Sequence, residues 1–435
     1  MRRLSLTNII IGLDIGTSFV RAVVGVINED YSVEILSVAK KPSSGFLRHG
    51  AIVNIESTKN VIKQVIDEVE QNFGYEVRSC VTGIGGKYIE SLNSHGFVAI
   101  SSIGKRDRAI TEDDIERVLT ASNAVPIPPD RDILHLIPKD YIVNGVSGYK
   151  QENALNSLAV RLEVDVHIIT ASRTQISNIT QCVERAGYEL DRVFLKTLAA
   201  SEAVMIKEEK ELGSILIDLG GGTTDVIVII ADAPACTASI PAGGNLVTND
   251  IAYMKGVPTA TAEKLKLEHG CCWSELIDGN DEEVVIPAFG GRPPELTSKS
   301  ELCEIIQSRM EEIFTRVRDE IVQRSGLTQL SGSIILTGGG AQLSGAVELA
   351  EYVFGTSSVR IGVPSSLGGI EESYRTPEFA TAVGLVLADK ENVRVSSSEK
   401  GGKKKKEKAR RSNEDASQSA EPKESAFSKL KKFFF

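Results

Sequence analysis

The sequence predicts an α/β protein built from two related halves, with a small α+β subdomain inserted in the first half and a polar tail at the end. Three observations support this fold class. One strand–turn–strand pattern occurs twice, apolar strands alternate with helical segments, and 435 residues exceed the size at which one hydrophobic core keeps growing. We therefore expect at least two domains with separate cores.

The repeated pattern is a pair of apolar strands joined by a turn of Asp, Gly and hydroxyl residues. The first copy reads NIIIGLDIGTSFVRAVVGVI, and the second reads SILIDLGGGTTDVIVII. Aligning Asp14 with Asp218 aligns both strand pairs and places Gly16 over Gly220. This alignment predicts an internal duplication. An ordinary hairpin turn also needs Gly and Asp for backbone reasons, so the pattern alone leaves that alternative open.

Helical segments lie between the strands. Residues 60–74 repeat apolar side chains with helical spacing and end on Gly74, while residues 176–187 end in the same way on Gly187. Residues 86–167 differ, with many polar breaks and one charged helix. We interpret them as the inserted α+β subdomain.

The tail and the body have opposite charges. Residues 396–435 contain 12 Lys or Arg against 6 Asp or Glu, whereas the whole chain has a net charge of −10, so residues 1–395 carry −16. Residues 391–424 have too little apolar surface to fold, and this composition predicts a disordered linker. Their basic run contains no aromatic residue that could stack on a base, which argues against nucleic-acid binding.

The last segment, residues 425–435, reads SAFSKLKKFFF and predicts a short amphipathic helix. Its apolar residues fall within an arc of about 120° on a helical wheel, and lysines lie opposite them. Such a helix is typical of binding to anionic lipid surfaces. The expected membrane residues are Phe427, Leu430, Phe433 and Phe434, with Lys429 and Lys432. Docking on the parent domain is the alternative, which the long polar linker disfavours.

Three loops rich in Gly, Thr, Ser and Asp each follow a predicted strand, at 14–18, 217–225 and 336–343. Glycine lets backbone N–H groups approach phosphate oxygens, and hydroxyl groups add further donors. Two carboxylates at strand ends, Asp14 and Asp218, suit a hydrated Mg²⁺. The chain has no P-loop signature and no G-x-G-x-x-G that opens a helix after an N-terminal strand.

In this order and spacing the three loops resemble the two phosphate loops and the adenosine loop of the actin-like ATPase superfamily. Further segments resemble one branch of it, the FtsA family of bacterial cell-division proteins, and the resemblance covers roughly residues 5–390. These segments are IPAGGNLVTNDIA at 240–252, AEKLKLEHGC at 262–271, GGRPPEL at 290–296, VRIGVPSSLGGI at 359–370 and YRTPEFATAVGLVL at 374–387.

The resemblance implies a duplicated actin-like two-domain fold around a nucleotide cleft. The expected divisions are a first actin-like domain at 1–85 and 168–203, the inserted subdomain at 86–167, a second actin-like domain at 204–390 with a small subdomain at about 245–325, a disordered linker at 391–424 and a membrane-targeting amphipathic helix at 425–435.

The resemblance also implies which residues bind ATP and Mg²⁺. Asp14 and Asp218 would hold Mg²⁺ through water, and Glu263 with Lys266 would reach the ribose and adenine. An exposed helix face is the alternative for the latter pair, because charged residues at i and i+3 are common. The implied loop residues are Gly16, Thr17 and Ser18, then Gly220, Gly221, Gly222 and Thr223, and finally Gly338, Gly339 and Gly340.

One position departs from the superfamily pattern. Many hydrolytic relatives carry Glu-Pro at the first inter-domain connection, where the acid helps to orient the attacking water, but this chain has Lys196-Thr197 there. Because water positioning is central to phosphoryl transfer, we expect weak or absent ATP hydrolysis, and enzymatic activity stays uncertain.

The implied function is to anchor the ring of FtsZ, a tubulin-like filament protein, to the cytoplasmic membrane. The family resemblance adds self-association into a homopolymer, recruitment of later division proteins and a peripheral location on the cytoplasmic face at the division site. Six cysteines without a C-x-x-C pair fit a reducing compartment. Two alternatives stay open, a small-molecule kinase of the same superfold and a pilus-assembly adaptor.

Overall fold

The computed structural model describes residues 8–390 except 44, 102–106, 278–280, 289, 291–292 and 328–331. Within this part of the chain, no helix is both long enough and apolar enough to cross a bilayer. The predicted linker and membrane helix lie outside the described residues, as do the expected membrane residues Phe427, Leu430, Phe433, Phe434, Lys429 and Lys432.

The chain starts with three antiparallel strands, a short hairpin, a helix and a parallel strand. These elements are β1 (Ile9–Ile15), β2 (Phe19–Ile27), β3 (Val33–Pro42), β4 (Leu47–Arg48), β5 (Ala51–Ile52), α1 (Ile55–Phe73) and β6 (Ser79–Ile84). Asn54 caps α1 by accepting the N–H of Ser57 at 3.0 Å, and Gly74 ends it with φ 81°. The predicted end of this helix is therefore confirmed, and its start lies farther upstream.

A mixed subdomain with its own core follows. Its elements are β7 (Ile89–Ala99), β8 (Arg108–Ala109), α2 (Glu112–Ser122), β9 (Arg131–Val143), β10 (Val146–Tyr149), α3 (Gln151–Ala154), β11 (Leu158–Ala159) and β12 (Arg161–Ser172). Four strands form a sheet in the order β10-β9-β12-β7, and α2 packs on it. A capping box starts α2, in which Asp114 accepts the N–H of Thr111 at 3.0 Å.

The chain then returns to the first half through α4 (Arg173–Ala186), β13 (Glu189–Leu195) and α5 (Lys196–Val204). Strand β13 pairs with β6 in parallel and completes a sheet in the order β13-β6-β1-β2-β3. Helix α4 ends at Gly187 with φ 102°, as the sequence predicts.

The second half contains a second sheet and the longest helix of the described chain. Its elements are α6 (Lys207–Leu212), β14 (Ser214–Leu219), β15 (Thr224–Ile230), β16 (Ala233–Ile240), α7 (Gly244–Lys255), α8 (Thr259–His269), β17 (Glu283–Ile286), β18 (Glu295–Ser298), α9 (Lys299–Ser325), β19 (Ile334–Thr337), α10 (Ala346–Phe354), β20 (Val359–Ile361), α11 (Glu371–Tyr374) and a helical stretch at 380–390.

The two large sheets have the same topology. In the first sheet β3-β2-β1 are antiparallel, and β6 and β13 continue in parallel. In the second sheet β16-β15-β14 are antiparallel, and β19 and β20 continue in parallel. The predicted duplication is confirmed, and β6 has the same position in the first sheet as β19 has in the second.

Helix α5 and the helical stretch 380–390 join the two halves. Helix α5 contacts β6 and β13 of the first sheet and β14 and β15 of the second. The two helical segments approach closely, since a Cβ atom on Gly384 would lie 1.9 Å from the carbonyl oxygen of Ala199. A glycine is required there, and the junction is packed as a single core.

Candidate functional site

A cavity of about 760 Å³ lies between the two halves, within the size range of cofactor sites. Its walls come from the β1–β2 and β14–β15 turns, the first residue of α5, helix α8 and the turn after β19. All fourteen predicted nucleotide and metal residues line it: Asp14, Gly16, Thr17, Ser18, Asp218, Gly220, Gly221, Gly222, Thr223, Glu263, Lys266, Gly338, Gly339 and Gly340.

The β1–β2 and β14–β15 turns are closed by the same hydrogen bond. Gly16 N–H donates to the carbonyl oxygen of Phe19 at 3.0 Å, and Gly220 N–H donates to that of Thr223 at 3.0 Å. The duplication therefore extends to individual atoms. These turns are tight hairpins, as the backbone alternative predicts, and they also line the cavity.

The two turns touch across the cavity, which explains why the second turn needs glycines. A Cβ atom on Gly221 would lie 2.0 Å from Ser18 Oγ, and one on Gly222 would lie 2.8 Å from Thr17 Oγ1. Any side chain at these two positions would push the halves apart. The close approach leaves backbone N–H groups and hydroxyl groups as the donors on both sides of the gap.

The β4–β5 hairpin covers this contact from the first half. His49 Nδ1 lies 3.1 Å from the carbonyl oxygen of Gly222, and the N–H of Gly50 donates to Thr17 Oγ1 at 3.3 Å. Because a carbonyl oxygen only accepts, His49 carries its proton on Nδ1 in this arrangement. The hairpin therefore connects both glycine turns.

The floor of the cavity is acidic and contains one lysine in direct contact with a carboxylate. Lys196 Nζ donates to Asp14 Oδ1 at 2.7 Å and to the carbonyl oxygen of Ile15 at 2.8 Å. Loss of hydration, followed by the nearby carboxylates of Asp225 and Asp14, raises the pKa of Asp218 to about 7, and Lys196 opposes this shift. Of the two predicted metal residues, Asp14 is thus paired with the Lys196 ammonium, whereas Asp218 is a weakly acidic carboxyl.

Asp225 supports the second glycine turn. Its Oδ1 accepts the N–H of Gly86 at 3.0 Å, and its Oδ2 accepts the hydroxyl of Thr223 at 3.1 Å. The carboxylate is buried and joins the second half to the start of the inserted subdomain. Asp225 therefore holds the second glycine turn in place through its hydrogen bonds.

The third glycine loop starts in a conformation that favours glycine. Gly338 has φ +81°, and a Cβ atom there would lie 2.2 Å from Asp218 Oδ1. Its N–H donates to the carbonyl oxygen of Pro377 at 3.1 Å. A side chain at this position would displace the Asp218 carboxylate, so the third loop and the acidic floor depend on each other.

Glu263 and Lys266 form an ion pair on the cavity wall. Lys266 Nζ lies 2.8 Å from Glu263 Oε2 and donates to Thr248 Oγ1 at 2.9 Å and to the carbonyl oxygen of Gly244 at 3.2 Å. The Lys266 side chain is 13% exposed, so it does not belong to a freely solvated helix face. The pair ties α8 to the first turn of α7.

The turn before α7 is a part of the site that sequence reasoning did not assign. The N–H groups of Gly244 and Asn245 donate to the carbonyl oxygens of Gly220 and Gly221 at 3.0 and 2.8 Å. A Cβ atom on Gly243 would lie 2.4 Å from the carbonyl oxygen of Gly220. The only sequence signal for this support is the glycine pair in IPAGGN.

The donor set fits a polyphosphate with a hard cation. Glycine turns offer N–H groups to phosphate oxygens, and carboxylate oxygens are the ligands that Mg²⁺ prefers, usually through retained water. The described residues contain no cluster of three or more His, Cys, Asp or Glu that would hold a metal ion by protein ligands alone.

Two sheets of identical topology, joined by crossing helices and separated by a cavity lined with glycine turns, define an actin-like protein. Solved structures agree. A chain of the "PilM-PilN type IV pilus biogenesis complex" matches with a TM-score of 0.62 and 18% identity over 87% of this chain and 97% of that one. MreB5 of Spiroplasma citri bound to ADP matches with a TM-score of 0.50 and 15% identity over 89% and 99%.

Sequence comparisons identify the branch. The family model "Cell division protein FtsA" matches residues 215–384, and the model "SHS2 domain inserted in FTSA" matches residues 86–170. Cell division protein FtsA of Pseudomonas aeruginosa is 43% identical over 87% of this chain and 88% of its own length. The Borreliella burgdorferi protein is 42% identical over 87% and 90%. The chain belongs to the FtsA family of cell-division proteins.

Proposed function

We propose that this chain is an actin-like ATP-binding protein that anchors the FtsZ ring to the cytoplasmic membrane during cell division. It self-associates there and recruits later division proteins. The observation that carries the proposal is the single cavity that all three glycine loops line, in a chain whose relatives are cell-division proteins. The pilus complex has 18% identity and supports the fold alone, so the pilus and kinase alternatives have no comparable support.

In the proposed complex ATP lies across the cavity with its phosphates between the two glycine turns. The N–H and hydroxyl groups of 16–18 and 220–223 donate to the β- and γ-phosphates, and 338–340 lie under the adenosine. Asp14 and Asp218 hold Mg²⁺ through water, while Glu263 and Lys266 reach the ribose and adenine. When bound, Mg²⁺ neutralises part of the phosphate charge. MreB5 of S. citri, which shares the fold, is bound to ADP, and this supports nucleotide binding by analogy.

The proposed membrane anchor is the segment 425–435, held on the linker 391–424. Four apolar side chains enter the lipid boundary and the lysines meet anionic headgroups. The acidic body would be repelled by the same surface, so the tail alone brings the protein to the bilayer. The small subdomain at about 245–325 is the proposed FtsZ-facing region.

Liposome co-sedimentation tests the proposal. Intact protein and a chain truncated after Glu424 are each mixed with ATP, FtsZ and vesicles that contain anionic lipid. We expect the intact chain to carry FtsZ into the pellet and the truncated chain to leave it in the supernatant. Vesicles of neutral lipid only serve as the electrostatic control, and FtsZ without the adaptor gives the background.

The experiment tests the membrane anchor and the FtsZ partner separately. If neither form of the chain binds vesicles, the anchor is wrong and a soluble ATP-dependent scaffold becomes the better explanation. If the intact chain binds vesicles but leaves FtsZ in solution, the anchor stands and the partner is wrong.

A further inference from the structure

We propose that Lys196 is a built-in counter-cation of the nucleotide site, so that ATP binding by this chain depends only weakly on a divalent metal. The inference rests on the proposed ATP-binding function and deepens it. The inference assigns a function to Lys196, which the sequence marks only as a departure from the Glu-Pro pattern of hydrolytic relatives.

The stem of Lys196 is held along its length. Lys196 is the first residue of α5 and follows β13 without a loop. A Cβ atom on Gly83 would lie 2.7 Å from Lys196 Cγ, and one on Gly85 would lie 3.4 Å from Lys196 Cδ. Gly83 in β6 and Gly85 just after it therefore make room for the side chain, which is 14% exposed. The position of the ammonium is set by packing.

The head of Lys196 lies at the cavity floor. It donates to Asp14 Oδ1 at 2.7 Å and to the carbonyl oxygen of Ile15 at 2.8 Å, and both Lys196 and Asp14 line the cavity. An ammonium group carries three N–H donors, and these two contacts use two of them. One donor is therefore left for a ligand oxygen beside the first glycine turn.

The charge balance of the floor explains what this ammonium does. Three carboxylates, those of Asp14, Asp218 and Asp225, interact electrostatically there, and ATP would add a polyphosphate. Arg21 Nη1 lies 3.7 Å from Asp14 Oδ2, farther than the ammonium of Lys196. In a site shielded from water, one positive charge at contact distance strongly offsets such repulsion. In many nucleotide sites the bound metal performs this task.

The arrangement also makes Asp14 a poor ligand for a metal that arrives alone. Its Oδ1 is already bonded to a cation, so a divalent ion would have to compete with Lys196 or enter together with the phosphates. We therefore expect Mg²⁺ to contribute a small increase in ATP affinity instead of being required for binding.

Calorimetric titration of ATP into the full-length protein tests this inference, in excess Mg²⁺ and in excess EDTA. For the natural sequence we expect affinities that agree within about tenfold. Lys196→Gln should bind ATP nearly as well in Mg²⁺, but at least about tenfold more weakly in EDTA, the usual effect of losing one charged hydrogen bond. Lys196→Arg keeps the charge and should behave like the natural sequence.

Lys59→Gln is the matched control, because it removes one surface lysine that pairs only with Glu56 among its described contacts, on α1. Equal Mg²⁺ dependence in the natural chain and in Lys196→Gln overturns the inference. So does a loss of more than about a hundredfold in the natural chain on adding EDTA, a result that needs no variant to fold. If the natural chain binds no ATP under either condition, the proposed nucleotide function fails as well.

Discussion

Arg21 and Glu378 are 357 positions apart and form an ion pair at 2.8 Å between Arg21 Nη2 and Glu378 Oε2. Lys40 lies on the same carboxylate oxygen at 2.5 Å. Arg21 and Lys40 belong to the first sheet, whereas Glu378 precedes the helical stretch 380–390. The side chains of Arg21 and Glu378 are 10% and 16% exposed. The ion pair therefore connects the end of the described chain to β2, the strand that pairs with β1 and lies beside Asp14.

The first prediction concerns this pair. Glu378→Ala leaves two cations without their shared carboxylate, one of them buried, and we expect the free energy of unfolding to fall by about 3 kcal/mol. Glu372→Ala, at an exposed position on α11, should change it by less than about 0.5 kcal/mol. Urea unfolding followed by circular dichroism measures both. A Glu378 variant as stable as the Glu372 control would show that the pair adds nothing to folding.

The second prediction concerns the close contact between the two glycine turns. A Cβ atom on Gly221 would overlap Ser18 Oγ, so Gly221→Ala should weaken ATP binding by at least about tenfold. Removing the hydroxyl relieves most of the overlap. We therefore expect Gly221→Ala combined with Ser18→Ala to bind ATP about as well as Ser18→Ala alone, in a double-mutant cycle measured by calorimetry. Strictly additive losses would mean that the turns do not touch when ATP is bound.

Slow ATP hydrolysis is the third prediction. The resemblance to the actin-like superfamily implies that Lys196 replaces an acid of the hydrolytic relatives. An ammonium has no lone pair to accept a hydrogen bond from an attacking water. We expect phosphate release by the purified full-length chain to be weak or undetectable, with or without FtsZ and vesicles. A steady-state turnover of about one per second would contradict this expectation.

The sequence predicts the local parts of this fold well. Apolar strands bounded by Asp and Gly identify both halves, because strand length, alternation and turn chemistry are local properties. The helix ends at Gly74 and Gly187 follow from the same kind of signal. The order of the three glycine loops, through its resemblance to the actin-like ATPase superfamily, then predicts that they share one site.

Long-range contacts could not be predicted in this way. The pairing of Arg21 with Glu378 and the position of His49 beside Gly222 depend on how two separately folded halves meet. No spacing in the chain reports such a contact. The sequence marks Lys196 as an unusual residue, but its bond to Asp14 forms only when the fold brings the start of α5 close to the end of β1.

A buried histidine gives the fourth prediction, on pH. His167 Nδ1 donates to Asn93 Oδ1 at 2.8 Å, and burial, with Lys139 nearby, lowers the pKa of His167 from 6.5 to about 4. Between these values the unfolded chain binds a proton that the folded chain does not. Stability should therefore fall as pH drops from 6.5 to 4, by up to about 3 kcal/mol from this residue. His167→Gln should flatten that slope in urea unfolding, and His269→Gln should keep it.

The fifth prediction separates the two forces that act in the tail. Burying one phenylalanine in lipid contributes about 2 kcal/mol, whereas one lysine near an anionic surface contributes about 1 kcal/mol. We therefore expect Phe433→Ser to weaken binding to anionic vesicles by roughly thirtyfold, and Lys432→Gln by roughly fivefold. Raising the salt concentration should reduce the effect of the lysine change and leave that of the phenylalanine change largely intact, because only charge is screened. Co-sedimentation over a range of lipid concentrations measures the natural chain and both variants at low and high salt. If Phe433→Ser binds as tightly as the natural sequence, the tail does not insert an apolar face, and attraction between charges alone holds the protein at the surface.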